Sequence, residues 1–395
     1  MKAILTNVVG IWILLFAVFL PFTYSFFPQL GIELTNRFAS ISEWIVKDLF
    51  GASIYASPET SDSAAQFAQA FLLLIIAVLF TLVLKKQKRF SEIQVGQFLH
   101  TSAAYILAFF LLKYGIDKLF QFQFYAPEPN TLFTPLGLLS KDILFWSSMG
   151  TSSSYNAFMG LLEVIPALLL LHHRTRLLGG LIALGVLVNV LMINFSFDIT
   201  VKLLSMFLVI VSLFVISPFL KSLYSFFILH SESSVKQEKR LILTPKVRMI
   251  VKSTVVILLF AEVLFSYARI GSFNGREMEK IAHFGSYEVM QIDADVLGYK
   301  NLKRIHVHSK GYLILEDEEG QFVDFPIRIA PDQSIIVRKE NARIFVSKKR
   351  AKVVFEVRKD GVSTEVLTKE IDLDKLPARD DGFHWTVDGL IDENQ

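Results

Sequence analysis

The chain has 395 residues, of which 52% are hydrophobic and 36 are Phe, and a mean hydropathy of +0.46. That is too apolar for an ordinary soluble domain and points to the membrane class, while the absence of Cys excludes disulfides, thiol catalysis, cysteine-ligated metals and iron–sulfur clusters. The net charge of +3 hides an uneven spread: residues 271–395 carry 19 Lys/Arg and 23 Asp/Glu, against 21 and 14 in residues 1–270, so a membrane part precedes a water-facing part.

A membrane-crossing helix needs ~20 mostly apolar residues. Seven segments fit in chain order: 8–27, 68–84, 98–119, 155–171, 177–195, 201–220 and 249–267. The first follows Lys2 as a signal peptide would. Its apolar run is long, however, and no small-x-small cleavage site follows, so it reads as a retained anchor. Lys and Arg in short loops set the orientation. Lys85, Lys86, Lys88 and Arg89 follow the second span, and Arg174 and Arg176 the fourth. Lys221, Lys236, Lys239, Arg240, Lys246 and Arg248 follow the sixth. With Lys2 they make thirteen basic residues on one side, against Arg37, Lys47 and Lys141 on the other. The asymmetry predicts a cytoplasmic N-terminus and an extracytoplasmic C-terminal domain.

That outer domain, 271–395, reads as β-rich. GYLILEDEEGQFVDFPIRI places two strand-like runs around a Glu-Glu-Gly turn, and AKVVFEVRKDGVSTEVLTKEI repeats the form around Asp360-Gly361. KNLKRIHVHSK adds a strand with His306 and His308 on one face. Metal ligands sometimes take that spacing, but two exposed histidines are the expectation, with no metal site. The KKR run at 348–350 sits among acidic neighbours and reads as a solvated strand edge rather than a nucleic-acid surface.

Ionisable groups inside spans cost several kcal/mol unless paired or wet, and so mark candidate sites. Lys113 and Asp117 are spaced i, i+4 on the third span, and Asp198 and Lys202 repeat the spacing at the start of the sixth. Asn189 and Asn194 lie on the fifth. Glu163 lies in the middle of the fourth, within YNAFMGLLEVIPALLLL. The orientation puts most of these at the outer ends of their spans, with the acid just below. Convergence of Lys113, Asp117, Glu163, Asn189, Asn194, Asp198 and Lys202 into a pocket opening outward is therefore expected, with Glu163 protonated or meeting Lys113 or Lys202. Lys118 reads as a lysine snorkelling at its helix end. The competing reading is that the i, i+4 pairs only lock the bundle. Gly179, Gly180 and Gly185, with Ala157 and Gly160, allow close helix approach, and Pro166 is a candidate kink beside the acid.

YILAFFLLKYGIDKLF, followed by FMGLLEVIPALLLLHHRTRLLGGLIALGVLVNVLMINFSFDITVKLLSMFLVIVSLF, resembles the DoxX-like membrane proteins over about 98–220. The resemblance implies a four-helix membrane bundle, here in a long form with extra spans and an outer domain. It divides the chain into two N-terminal spans (1–97), the bundle (98–230), a basic linker with the last span (231–270) and the outer domain (271–395). Lys113, Asp117 and Glu163 fall at the family's polar-motif positions, and no catalytic role is carried over to them. Because founding members are linked to quinone-reducing membrane enzymes, the resemblance implies a membrane subunit of the bacterial inner membrane with a quinone or redox association. The alternative is a non-catalytic scaffold whose outer domain binds an envelope partner. No inverted repeat or pair of broken helices suggests a transporter.

Overall fold

The computed structural model describes residues 2–19, 21–22, 24–27, 29–87, 92–231, 244–275, 281–338, 340–349, 352–380 and 382. Lys88, Arg89, Lys236, Lys239, Arg240 and Arg350, counted above among the basic residues, lie outside the described residues. The chain divides into two compact units: residues 1–120 with 157–273, and residues 121–156 with 274–395.

The first unit is helical. Helix α1 (Lys2–Phe19) is followed by α2 (Leu30–Asn36), α3 (Ala39–Trp44) with a π-helical turn at Ile45–Leu49, and α4 (Ala64–Gln87). Then come α5 (Glu92–Leu119), α7 (Ser153–Leu170), α8 (Arg176–Ser196), α9 (Lys202–Ile216), α10 (Leu220–Phe227) and α11 (Pro245–Ile270). Between α5 and α7 lies α6 (Lys141–Thr151), which belongs to the second unit. Among the described residues six helical stretches are long and apolar enough to cross a membrane: Ala64–Lys86, Ile93–Leu119, Ser153–Leu170, Arg176–Ser196, Lys202–Phe227 and Pro245–Ile270. The protein is a multi-pass membrane protein.

The expected first span, 8–27, is corrected. Its helix starts earlier, and its described residues run from Lys2 to Phe19. Its 18 residues reach about 27 Å at 1.5 Å per residue, at the short end of the range for a crossing helix. Pro166 does not end α7, which runs on to Leu170.

Helix α5 packs against α1, α9 and α11, while α1 also packs on α4 and α8 on α9. Leu107, Leu111 and Leu112 of α5, with Phe207, Leu208 and Val211 of α9, are buried in the unit's interior. Ser212 on α9 donates to the Gly180 carbonyl of α8 at 2.9 Å, a buried polar tie between apolar helices.

The second unit is a closed, eight-stranded antiparallel barrel in which each strand pairs with the next and β1 closes on β8. The strands are β1 (Gly285–Ile292), β2 (Leu302–His308), β3 (Tyr312–Asp317), β4 (Phe322–Ile329), β5 (Ile335–Val337), β6 (Ala342–Lys349), β7 (Lys352–Lys359) and β8 (Val362–Ile371). Both expected hairpins are present. The β7–β8 turn has Asp360 and Gly361 at φ of 51° and 80°, the left-handed pair that a two-residue hairpin loop requires. Ile305, Val307, Leu313, Leu315, Phe325, Ile344 and Phe355 fill the interior. Residues 121–156, assigned above to the bundle, cluster with this barrel.

Candidate functional site

Helix α5 carries two polar faces. On one, Lys118 reaches Glu163 of α7, and its ammonium lies 2.9 Å from each carboxylate oxygen. The two side chains are only 5% and 4% exposed. The approach rests on two glycines. A Cβ on Gly160 would lie 2.7 Å from the Gly115 carbonyl, and one on Gly115 would lie 2.9 Å from the Gly160 carbonyl. Only there can the backbones come close enough for Lys118 to span the gap. The expected partners of Glu163, Lys113 and Lys202, are therefore replaced by Lys118. That lysine does not snorkel to an interface but turns inward, because an unpaired carboxylate in an apolar crossing is far costlier than a bent lysine stem.

On the other face, Lys113 lies 3.5 Å from Asp117 and 5.2 Å from the centre of the Tyr267 ring. The Tyr267 hydroxyl, from α11, donates to the same Asp117 oxygen. Lys113 borders a cleft of about 760 Å³ whose walls include Phe22, Tyr24, Ser25, Phe265, Ser266 and Arg269. Glu262 of α11 holds one rim by accepting from the backbone N–H groups of Ser25 and Phe26. The size is that of a small-ligand pocket, and the walls combine aromatic rings, hydroxyls and two cations.

The other expected members do not join this cleft. Asn189 is exposed on α8, because it falls on the side turned away from α9. Asn194 is buried, with its amide nitrogen unpaired among the described residues. Asp198 and Lys202 pair at 2.7 Å, but Asp198 is 82% exposed. What organises that corner is Asp62, whose carboxylate accepts from the N–H groups of Lys202 and Leu203, both at 2.8 Å. It caps the start of α9 from a distant loop. Tyr267, Glu262 and Asp62 were missed by the sequence reading. Glu262 carried a signal, an acid inside the run 249–267, whereas Tyr267 and Asp62 carried none before the chain was folded.

In the barrel unit the expected exposed histidines are corrected. His306 is fully buried and His308 largely so, because residues 124–133 lie across the outer face of β2. The Phe133 ring stands 5.7 Å from His306 and 4.4 Å from the Arg304 guanidinium. His306 Nδ1 lies 2.8 Å from Ser286 Oγ, and Nε2 lies 3.3 Å from Glu316, which Arg304 grips at 2.7 and 2.9 Å. Burial pushes the His306 imidazole below its usual value despite the opposing pull of Glu316. The neutral ring therefore donates to Glu316 and accepts from Ser286. Burial works against the Glu316 charge, yet the His306 and Arg304 hydrogen bonds hold its carboxyl below the usual range. Serine, histidine and acid stand in line as in a hydrolase, but Ser286 and His306 have no exposed surface, and the line ties strands together. His308 approaches Glu128 at 3.7 Å, and Glu128 also accepts from the backbone N–H and hydroxyl of Ser309. Among the described residues no group of three or more His, Asp or Glu could hold a metal.

No protein-family model matches the chain, and no solved structure does. The uncharacterized protein YwoB of Bacillus subtilis (strain 168) is 35% identical over 107 residues, which cover 27% of this chain and 68% of that protein. At that identity and coverage, the chain belongs to the same family as YwoB.

Proposed function

We propose that the protein is a DoxX-like membrane subunit of the bacterial plasma membrane, and that it takes the head of a quinone-class ligand into the cleft beside Lys113. The observation that carries the reading is the cleft itself, in which a lysine positioned by Asp117 and Tyr267 faces the rings of Phe22 and Phe265. Lys113 can donate to a carbonyl oxygen of such a head, the rings can pack on its plane, and Tyr267–Asp117–Lys113 forms a hydrogen-bonded chain along which a proton can move. The basic asymmetry of the loops supports a cytoplasmic N-terminus and an extracytoplasmic barrel. Native purification in mild detergent, followed by extraction and identification of bound lipids, tests the ligand. A quinone should copurify with the native chain and be depleted in Lys113→Gln. A preparation without quinone that also fails to bind added menaquinone or ubiquinone sinks the reading. Orientation is tested separately. Cysteine at Ser57, Thr131 or Asp360 should react with an impermeant thiol reagent in spheroplasts, and cysteine at Gln87 or Ser234 should not.

A second reading, a scaffold that binds an envelope protein, draws on the barrel unit. An open cleft of about 630 Å³ there is bordered by Tyr125, Lys310, Lys369, Asp374 and Arg379. An envelope protein recovered in the same purification, without quinone, favours it.

A further inference from the structure

The loop between α1 and α4 carries apolar side chains that the fold leaves bare. Phe27, Leu30, Trp44, Leu49, Phe50 and Ile54 are all exposed, Phe50 at 74% and Ile54 at 81%. Facing water, a concentration of this kind marks an interaction surface. The helix α3 and its π-helical turn show which kind. At about 100° per residue, Ser42, Ile45 and Val46 share one side and are buried, the last two against Ala65 and Ala68 of α4. Glu43 and Lys47 share a second side and pair with each other at 2.7 Å. Ile41 and Trp44, three residues apart, make a third side that is apolar and exposed. A helix on a soluble protein needs two sides, one for the core and one for water. A helix at the edge of a bilayer needs three, because protein, water and lipid all meet it.

The surrounding chain fixes the depth. The Phe19 carbonyl at the end of α1 accepts from Thr35 of α2 at 2.6 Å and from Gln69 of α4 at 3.0 Å. Helix α2 is thus held level with the end of one apolar helix and the second turn of a membrane-crossing one. The bare residues therefore continue the lipid-facing surface of α4, where Phe67 and Phe71 are also exposed.

We infer that residues 30–54 form an interfacial platform, lying in the head-group layer of the leaflet where α1 ends, with Trp44, Leu49 and Phe50 in contact with lipid. The inference does not depend on the ligand proposed for the cleft. Its partner is the lipid surface, and Trp is the side chain that such a boundary favours.

The lack of Cys makes the test direct, since single cysteines need no background substitution. Trp44→Cys, Phe50→Cys and, on the charged side, Glu43→Cys are each labelled with a nitroxide. The labelled full chain is reconstituted in phosphatidylethanolamine–phosphatidylglycerol vesicles. All three positions are exposed, so the labels do not threaten the fold. Power saturation should give oxygen-to-nickel accessibility ratios several-fold higher at 44 and 50 than at 43. Labels at 44 and 50 as open to the aqueous nickel complex as the label at 43 would overturn the platform. Spin–spin broadening at 44 that vanishes on dilution with unlabelled protein would overturn it too, because the face would then be covered by a second copy of the chain.

Discussion

Truncating Glu163 to Ala should destabilise the bundle far more than removing a surface charge. An exposed ion pair contributes about 0–1 kcal/mol. Lys118 and Glu163 are not in that regime, since both carboxylate oxygens sit 2.9 Å from the ammonium and the side chains are 5% and 4% exposed. Glu163→Ala leaves the Lys118 ammonium in an apolar crossing without its counter-charge, a loss of about 3–5 kcal/mol, and Lys118→Met leaves the mirror-image problem. The double variant Lys118→Met/Glu163→Leu removes both charges together with their desolvation cost. It should stay within about 1 kcal/mol of the native chain, or exceed it. Glu163→Gln, which keeps a hydrogen-bonding oxygen, should fall between the extremes. The assay is unfolding in mixed micelles by detergent titration, followed by the fraction of monodisperse protein on size-exclusion chromatography. Small single-variant losses that simply add in the double variant would refute the reasoning, because additivity means that the two groups do not depend on each other.

Gly160→Leu should separate α5 from α7, since its Cβ alone would lie 2.7 Å from the Gly115 carbonyl. A loss of about 1–3 kcal/mol is expected in the same micelle titration, and a native-like midpoint would contradict it. Asp62→Ala should loosen the start of α9 by about 0.5–2 kcal/mol through loss of its cap. Asp62→Asn should recover part of that loss, and faster hydrogen exchange at Lys202 and Leu203 reports it. Lowering the pH from 7 to 5 should loosen the barrel unit. Burial depresses the folded-state values of His306 and His308. Below their ordinary 6.5 the unfolded chain therefore binds protons that the folded chain refuses. Stability should fall by up to about 1.4 kcal/mol per pH unit for each histidine. The Glu316 contribution, from a value held below the ordinary 4.5, persists until the pH drops under that point. Exchange rates of the 302–308 amides that stay flat over this range, after correction for intrinsic chemistry, would count against the prediction.

The parts of this fold that were legible in the sequence are those set by neighbours in the chain. Six crossing helices announce themselves by length and hydropathy. The Asp360–Gly361 hairpin does so because few other residue pairs tolerate two left-handed positions in succession. Lys113–Asp117 was legible as an i, i+4 pair, and the structure adds only Tyr267, 150 residues away. Lys118 was misread because its position near a helix end is also where lysines snorkel. Nothing in the sequence distinguishes a stem reaching for water from one reaching Glu163 until Gly115 and Gly160 are known to meet. Burial of His306 was equally illegible, because alternation along β2 sends it outward. The Phe133 loop that covers it comes from a segment lying between two membrane helices.

The pairing of β1 with β8 sets an order on the birth of the barrel unit. Strand β1 begins at Gly285 and β8 ends at Ile371, so the first strand is synthesised long before the last one that must lie beside it. Until β8 emerges, the nascent sheet has two raw edges and an uncovered apolar face, which is the state most open to pairing with other chains. Once β8 is in place, each of the eight described strands has a neighbour on both sides. A partner adding a strand of its own then finds the ladder closed except beside the short β5, which pairs three residues of each neighbour. Any truncation that removes β8 opens the paired edges of β1 and β7 as well.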